Sequence, residues 1–396
     1  MKLYHSWRFV LVLLSAFMLN SCGSGGLTAG GGIGGSGIIS QGEIAAFGSI
    51  VVNGTRFDTS NATLIIKGEE IGVGDSIIRD NLDIGRVVTV EGPGREDDTS
   101  AVADRVIYSN NVQGPVERIS RFDRTTKELM VLGQSVIVNT LTKFKGTSID
   151  TITQNDVVEV SGFRDNTGAI RATFLEKTEA FTPSVIVEVN GFVKDLDTDL
   201  KTFKINDLTV DYSLADTSAL LGGIPANGLQ VEVEGTLDTT GGEMLATKIE
   251  PADELNDWDA DEIEVMGFVT YLVSTSEFTL GNQVVIVEEG AVIVDGKLTD
   301  IAPGVKIEAE GTLEDGILFA YEIEFWEPDQ IEVEGIITDV VSISEFTVDD
   351  QVVVTNAETV FEDGDPEDIV LGANVEIKGR RRDGVLVADK VSFENE

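Results

Sequence analysis

Asp195, Asp197 and Asp199 set three carboxylates at alternate positions of one short segment, the opening of a D-x-D-x-D calcium loop in which hard oxygen ligands gather round a cation. The segment then leaves that pattern. Leu200 stands where the sharp-turn glycine belongs and Asn206 where a bidentate glutamate is needed, so a solvated hairpin turn fits better than an EF-hand. A second acidic group, Asp257, Asp259 and Asp261, sits with Asp253, Glu254 and Glu262 in one short stretch. Like charges that close repel unless neutralised, and calcium could neutralise them and stiffen the joint. In so acidic a chain a solvated linker is the simpler reading, and calcium is the one cofactor these residues could take. Carboxylate pairs for glycoside hydrolysis carry no weight, because 70 acids guarantee some pair at a workable separation.

The other nucleophiles and ligands are scarce. Met1 to Ser21 places Lys2 and Arg8 ahead of an apolar run from Phe9 to Leu19, too short to span a bilayer, and reads as a secretory signal. Its removal takes away the only histidine, His5, and leaves Cys22 as the only cysteine. Disulfides, thiolate or imidazole metal sites, Cys-His nucleophiles and Ser-His-Asp triads are then excluded, and a non-enzymatic protein is expected. The net charge of −42 excludes a field that attracts nucleic acid, since binding phosphate needs clustered cations. The two basic clusters, Arg118 to Lys127 and Arg380-Arg381-Arg382, fall at predicted hairpins where nearby acids balance them. Trp258 and Trp326 lie at or near predicted linkers, where interdomain packing accounts for them.

What positions these residues is a repeat. Val231-Glu232-Val233-Glu234-Gly235 recurs at Val88 to Gly92, Val158 to Gly162, Ile307 to Gly311 and Val375 to Gly379. Successive side chains on a strand point to opposite faces, so Val231 and Val233 enter a core while Glu232 and Glu234 face water. The closing glycines are 70, 73, 76 and 68 residues apart. Each unit also carries a hairpin, clearest at Asn53-Gly54, the dipeptide favoured in tight two-residue turns. Five short strands per unit would leave open sheet edges, so the expectation is an all-β chain of five tandem small five-stranded β-barrels, OB-like or SH3-like. The expected boundaries are 1–21 for the signal, 22–37 for Cys22 and a Gly-rich tether, then barrels at 38–111, 112–180, 181–253, 254–328 and 329–396. Short linkers such as Glu327-Pro328-Asp329-Gln330 predict a semi-rigid string of barrels.

Leu19-Asn20-Ser21-Cys22-Gly23 resembles the lipobox of bacterial lipoproteins. The resemblance implies cleavage before Cys22, diacylglycerol on its sulfur and an acylated amine; with Gly23 rather than aspartate next, it implies sorting to the outer membrane, on either face. Two or more acyl chains hold a protein stably on a membrane where one holds it marginally. The lipobox, the tether and Phe47-Gly48-Ser49-Ile50-Val51-Val52-Asn53-Gly54 together resemble a bacterial family of secreted, tandemly repeated domains known only as a domain of unknown function, best over residues 36–179. That resemblance implies an extracytoplasmic small β-domain and brings no catalytic residues. The reading is a lipid-anchored envelope protein, a non-enzymatic arm whose partners are the membrane and an envelope protein or polymer. A calcium- or glycan-binding surface module ranks second, and a carboxylate-only hydrolase last.

Overall fold

The computed structural model describes residues 37–47, 49–94, 100–122, 125–238, 242–252, 262–314, 316–326, 330–348, 351–382 and 385–393. The fourth repeat gives the plan most plainly. Its first strand, Glu262–Ser274, is long enough to pair at one end with Glu277–Leu280 and at the other with Lys306–Glu314. Glu277–Leu280 pairs with Gln283–Val294, which lies parallel to Ile317–Trp326, and that strand returns beside Lys306–Glu314. The sheet thereby closes in the order 1-2-3-5-4-1, leaving no long edge open. A parallel contact between third and fifth strands is the OB-like arrangement rather than the SH3-like one. The same parallel contact recurs as Arg56↔Ser100, Val136↔Ile170, Val210↔Met244 and Val353↔Leu386. The chain is therefore all-β, with repeated small barrels.

Two signals in the residues fix this plan. Asn53 and Gly54 take φ of 52° and 72°, the doubly left-handed turn that matches the twist of a hairpin. The closing glycines sit where a fourth strand crosses a fifth: a Cβ added at Gly162, Gly235, Gly311 or Gly379 would lie well under 3.0 Å from the carbonyl oxygen of Arg171, Leu245, Phe319 or Val387. The pairing slips by one residue at each of these four, a β-bulge that bends the strand into the barrel. The inner faces fill with alternating apolar residues such as Val231, Val233, Ile307 and Ala309, and with fully buried Phe203, Phe278 and Phe346. The link between third and fourth strands is a seven-residue helix, Asp75–Asn81, in the first repeat, and one 3-10 turn in the fourth and fifth, Leu298–Asp300 and Pro366–Asp368.

The repeats do not meet through linkers alone. The first strands of the second and third barrels pair antiparallel at Val189↔Val112, giving one continuous sheet and one continuous core. The first strand of the whole series, Ile38–Glu43, lies parallel to Glu262–Ser274 of the fourth barrel, from Ile38↔Glu262 to Gln41↔Val265. Phe163 of the second barrel packs with Met266, Phe268 and Trp326 of the fourth. The barrels are thus joined edge to edge. The joining also changes the fate of the alternating acids: Glu188, Glu264, Glu332 and Glu334, on faces that alternation assigns to water, are buried between barrels.

Candidate functional site

Burying acids between barrels requires partners, and two seams supply them differently. Between the first and second barrels, Arg86, only 4% exposed, pairs with Glu159 and, at 2.8 Å, with Glu176. Its guanidinium lies 4.7 Å from the Tyr108 ring centroid and 4.4 Å from that of Phe174, while the Tyr108 hydroxyl donates to Glu159 at 2.8 Å. Burial works against the Glu159 carboxylate, but Arg86 outweighs it and holds the group below the usual range. The two rings and two carboxylates therefore fix one planar cation at the centre of this joint.

The seam among the first, fourth and fifth barrels carries more acid than base. Lys378 Nζ sits 2.6 Å from Glu324, 3.6 Å from Glu332 and 3.8 Å from Glu376, and 4.8 Å from the Trp326 ring centroid. Lys306, buried 5.1 Å from the centroid of the same indole, is pushed below its usual value by burial, which Glu43, Glu308 and Glu332 only partly offset. From the first barrel, Thr55 donates to Glu264 at 3.3 Å and Arg56 pairs with Glu334. One Glu332 oxygen and the Trp326 N–H are buried with no hydrogen-bond partner among the described residues. Burial, then Glu376, push the Glu332 carboxyl well above the usual range against the pull of Lys378; half-buried Glu308 moves the same way through burial, Glu264 and Glu324.

A raised carboxyl binds its proton more tightly in the folded state, so the stability it contributes is complete below the ordinary value of about 4.5 and is lost as pH rises through the folded value. The Glu332→Gln variant, which has no proton to lose, is accordingly expected to gain stability relative to the parent as pH rises from 5 to 9. Urea midpoints of both proteins across that range check this; a parallel pair of curves would show that Glu332 titrates normally.

A third junction has different chemistry. A cavity of about 190 Å³ lies where the first four barrels meet, lined by seven carboxamide side chains and a single charged one, Arg164. Asn282 Nδ2 donates to Gln230 Oε1 at 2.5 Å, and Gln230 Nε2 to Asn190 Oδ1 at 2.9 Å, an amide relay from the fourth barrel into the third. Arg164, at the end of the strand Asp156–Arg164, donates to the carbonyl of Asn190 at 2.5 Å, that of Gly168 at 3.3 Å and Gln134 Oε1 at 3.5 Å. It makes no ion pair among the described residues, and burial alone lowers its pKa to about 10. The Ser109 hydroxyl nearby is buried with no hydrogen-bond partner among the described residues.

Residues 36–106, 113–176, 183–250, 266–324 and 334–392 each match the family described as a domain of unknown function, DUF5666. The chain belongs to the DUF5666 family. Its five DUF5666 units each contain one closing glycine and one parallel third-to-fifth contact, so the repeated features are those that close a barrel. The seam residues differ from unit to unit: one residue before the closing glycine stands Lys378 in the fifth unit but Glu91, Ser161, Glu234 and Glu310 in the others. No curated protein matches the chain. One solved structure, described as drosophila Unr CSD456, is 16% identical, with 52% of this chain and 96% of that one covered and a TM-score of 0.14, too low to carry an argument.

Within the DUF5666 array, Asp195, Asp197 and Asp199 lie on the hairpin between Lys194–Asp197 and Thr202–Ile205 of the third unit. One Asp197 oxygen accepts from the backbone N–H of both Asp199 and Leu200, at 2.9 and 2.8 Å, so that carboxylate caps its own turn. Asp257, Asp259, Asp261 and Cys22 lie outside the described residues. The carboxylates that do converge among those described are Glu262, Glu264 and Glu310, with oxygens within 4.8 Å of one another. Sequence reading passed over them, and over Arg164 and the amides, because each sits on an ordinary alternating strand or turn and becomes a neighbour of the others only when barrels meet. The one available signal was residue type at these positions: Asn190 inside a strand, Gln230 at a strand start and Asn282 in a turn are carboxamides where the repeat needs none.

Proposed function

We propose that this DUF5666 array is a lipid-anchored protein of the cell envelope that acts without catalysis, presenting its barrels to an envelope protein or polymer from an anchor at Cys22. The observation that carries this reading is the use made of the perturbed ionisable groups. Arg86 with Glu159, and Lys378 with Glu324 and Glu332, are groups of the kind found in active sites, and here they pair at the joints between barrels, although Glu332 and Lys378 also border open space there. Support for the anchor is the lone cysteine placed directly after the apolar run Phe9 to Leu19, followed by a Gly-rich stretch with 9 glycines among 15 residues. A tether of that composition behaves as a coil spanning about 20 Å, enough to hold the first barrel off the headgroups. Of the neighbouring readings, glycan binding is favoured by the amide-lined cavity.

Expression in a bacterium with an outer membrane, fed an alkyne-tagged palmitate, tests the anchor. The parent chain is expected to take up the label and sediment with outer-membrane vesicles, and Cys22→Ala to lose both properties. An unlabelled parent, or a Cys22→Ala variant that remains with the membrane, would sink the reading.

A further inference from the structure

Arg164 is an anomaly of charge. In a chain with 70 acids it is a half-buried cation that makes no ion pair among the described residues, its bonds going to carbonyl and amide oxygens while the residue lines the 190 Å³ cavity. A partly desolvated charge without a counter-charge is unfavourable unless something compensates, and neutral oxygens compensate only in part. An anion seated in the cavity would complete it, and the fork of a guanidinium matches a carboxylate better than it matches a point charge.

The rest of the wall narrows the class of anion. Gln230, Asn190 and Asn282 form one bonded relay, and Gln41, Asn111 and Gln283 add further amides from three other strands or turns. Each carboxamide presents a donor and an acceptor side by side, the complement of adjacent hydroxyl groups, each of which also gives and takes one hydrogen bond. Phe163, Phe192 and Phe268 close the space with apolar surface. Excluding every other charged side chain from this wall also removes the repulsion that an anion would meet almost anywhere else on the protein.

We propose that this cavity binds a single small polyhydroxy carboxylate, a sugar acid of the uronate type, with Arg164 on its carboxylate and the Asn190–Gln230–Asn282 relay on its hydroxyls. Barrels one to four all contribute to the wall, so the site exists only in the assembled array and is absent from any one repeat. The proposal goes beyond the scaffold reading and does not depend on the anchor, since loss of lipidation would leave the cavity intact.

The test is calorimetric titration of the full chain, purified in a detergent free of sugar such as lauryldimethylamine oxide, with D-glucuronate, D-galacturonate, D-glucose and acetate at fixed ionic strength. At least one uronate is expected to bind saturably, with glucose and acetate each at least tenfold weaker, because one lacks the charge and the other the hydroxyls. Arg164→Gln and, separately, Gln230→Ala are each expected to weaken the uronate at least tenfold. Gln230 is half-buried at the start of its strand, so its variant decides the matter if Arg164→Gln does not fold. Acetate or glucose binding as tightly as the uronates, no saturable uronate binding, or uronate affinity unchanged in Gln230→Ala would each overturn the assignment.

Discussion

Replacing Gly311 by alanine is expected to unfold the fourth barrel. The added methyl would meet the carbonyl of Phe319 on the neighbouring strand, with the Phe319 carbonyl carbon at 2.7 Å and the Ala320 Cα at 2.8 Å. All three atoms are backbone in a paired strand, so no side chain can rotate away, and relief requires breaking the pairing at the bulge. Overpacking a core typically costs about 1–3 kcal/mol, and a clash that only backbone movement can relieve belongs to the exceptional class above ~4 kcal/mol. Set against the ~5–15 kcal/mol that holds a domain together, this is most of its stability. Urea denaturation followed by the emission of Trp326, buried at the end of the last strand of that barrel, reads the loss. Gly281→Ala is the control: it takes φ of +60° with open space around it and should cost about 1–2 kcal/mol. Equal midpoints for the two variants would show that the bulge glycine has no steric role.

Lys378→Met is expected to be the most damaging single change at a seam, weakening the attachment of the fifth barrel by about 3–5 kcal/mol, the usual effect of removing one partner from a buried ionic group. Lys378 serves Glu324, Glu332 and Glu376 together and lies over Trp326, so its removal leaves three carboxylates facing one another beside a methionine that can replace only the packing. Burial alone would lower its pKa; Glu332, Glu324 and Glu376 reverse this and hold the ammonium above its usual value. Adding Glu332→Gln to Lys378→Met should restore part of the loss, increasingly so as pH rises and Glu332 would otherwise ionise, since the two sites touch. A Lys378→Met protein with an unchanged urea midpoint, or a double variant no better than the single, would mean that the acids are solvated and the seam is not ionic.

Much of each barrel could be read from residues in isolation because the causes are local. Alternation put Val231 and Val233 inside, Asn53-Gly54 set a turn that tolerates two left-handed residues, and the closing glycines announced a place where no side chain fits. The seams could not be read that way. Alternation says which face of a strand a residue occupies and nothing about what lies against that face, so Glu264, Glu332 and Glu334 carry the same pattern as Glu232 and Glu234, which remain half-buried. Nor does any local rule pair Ile38–Gln41 with Glu262–Val265, residues whose neighbours in sequence give no hint of each other. The sequence marks Lys306 and Arg164 in no way, for the same reason.

That last pairing sets an order in time. The strand Ile38–Glu43 is among the first parts of the barrels to be made, and the strand that covers its free side is made far later; the Thr55–Glu264 contact that accompanies it spans 209 residues. Until the fourth barrel emerges, the first presents an uncovered row of backbone donors and acceptors, which is the template for mispairing with another chain. Closing so long a loop adds only slowly to the entropic cost, as the logarithm of its length, but it places the step late and makes it slow. A shorter array ending after three units would leave that row uncovered for the life of the protein, so the number of repeats is itself a safeguard against aggregation.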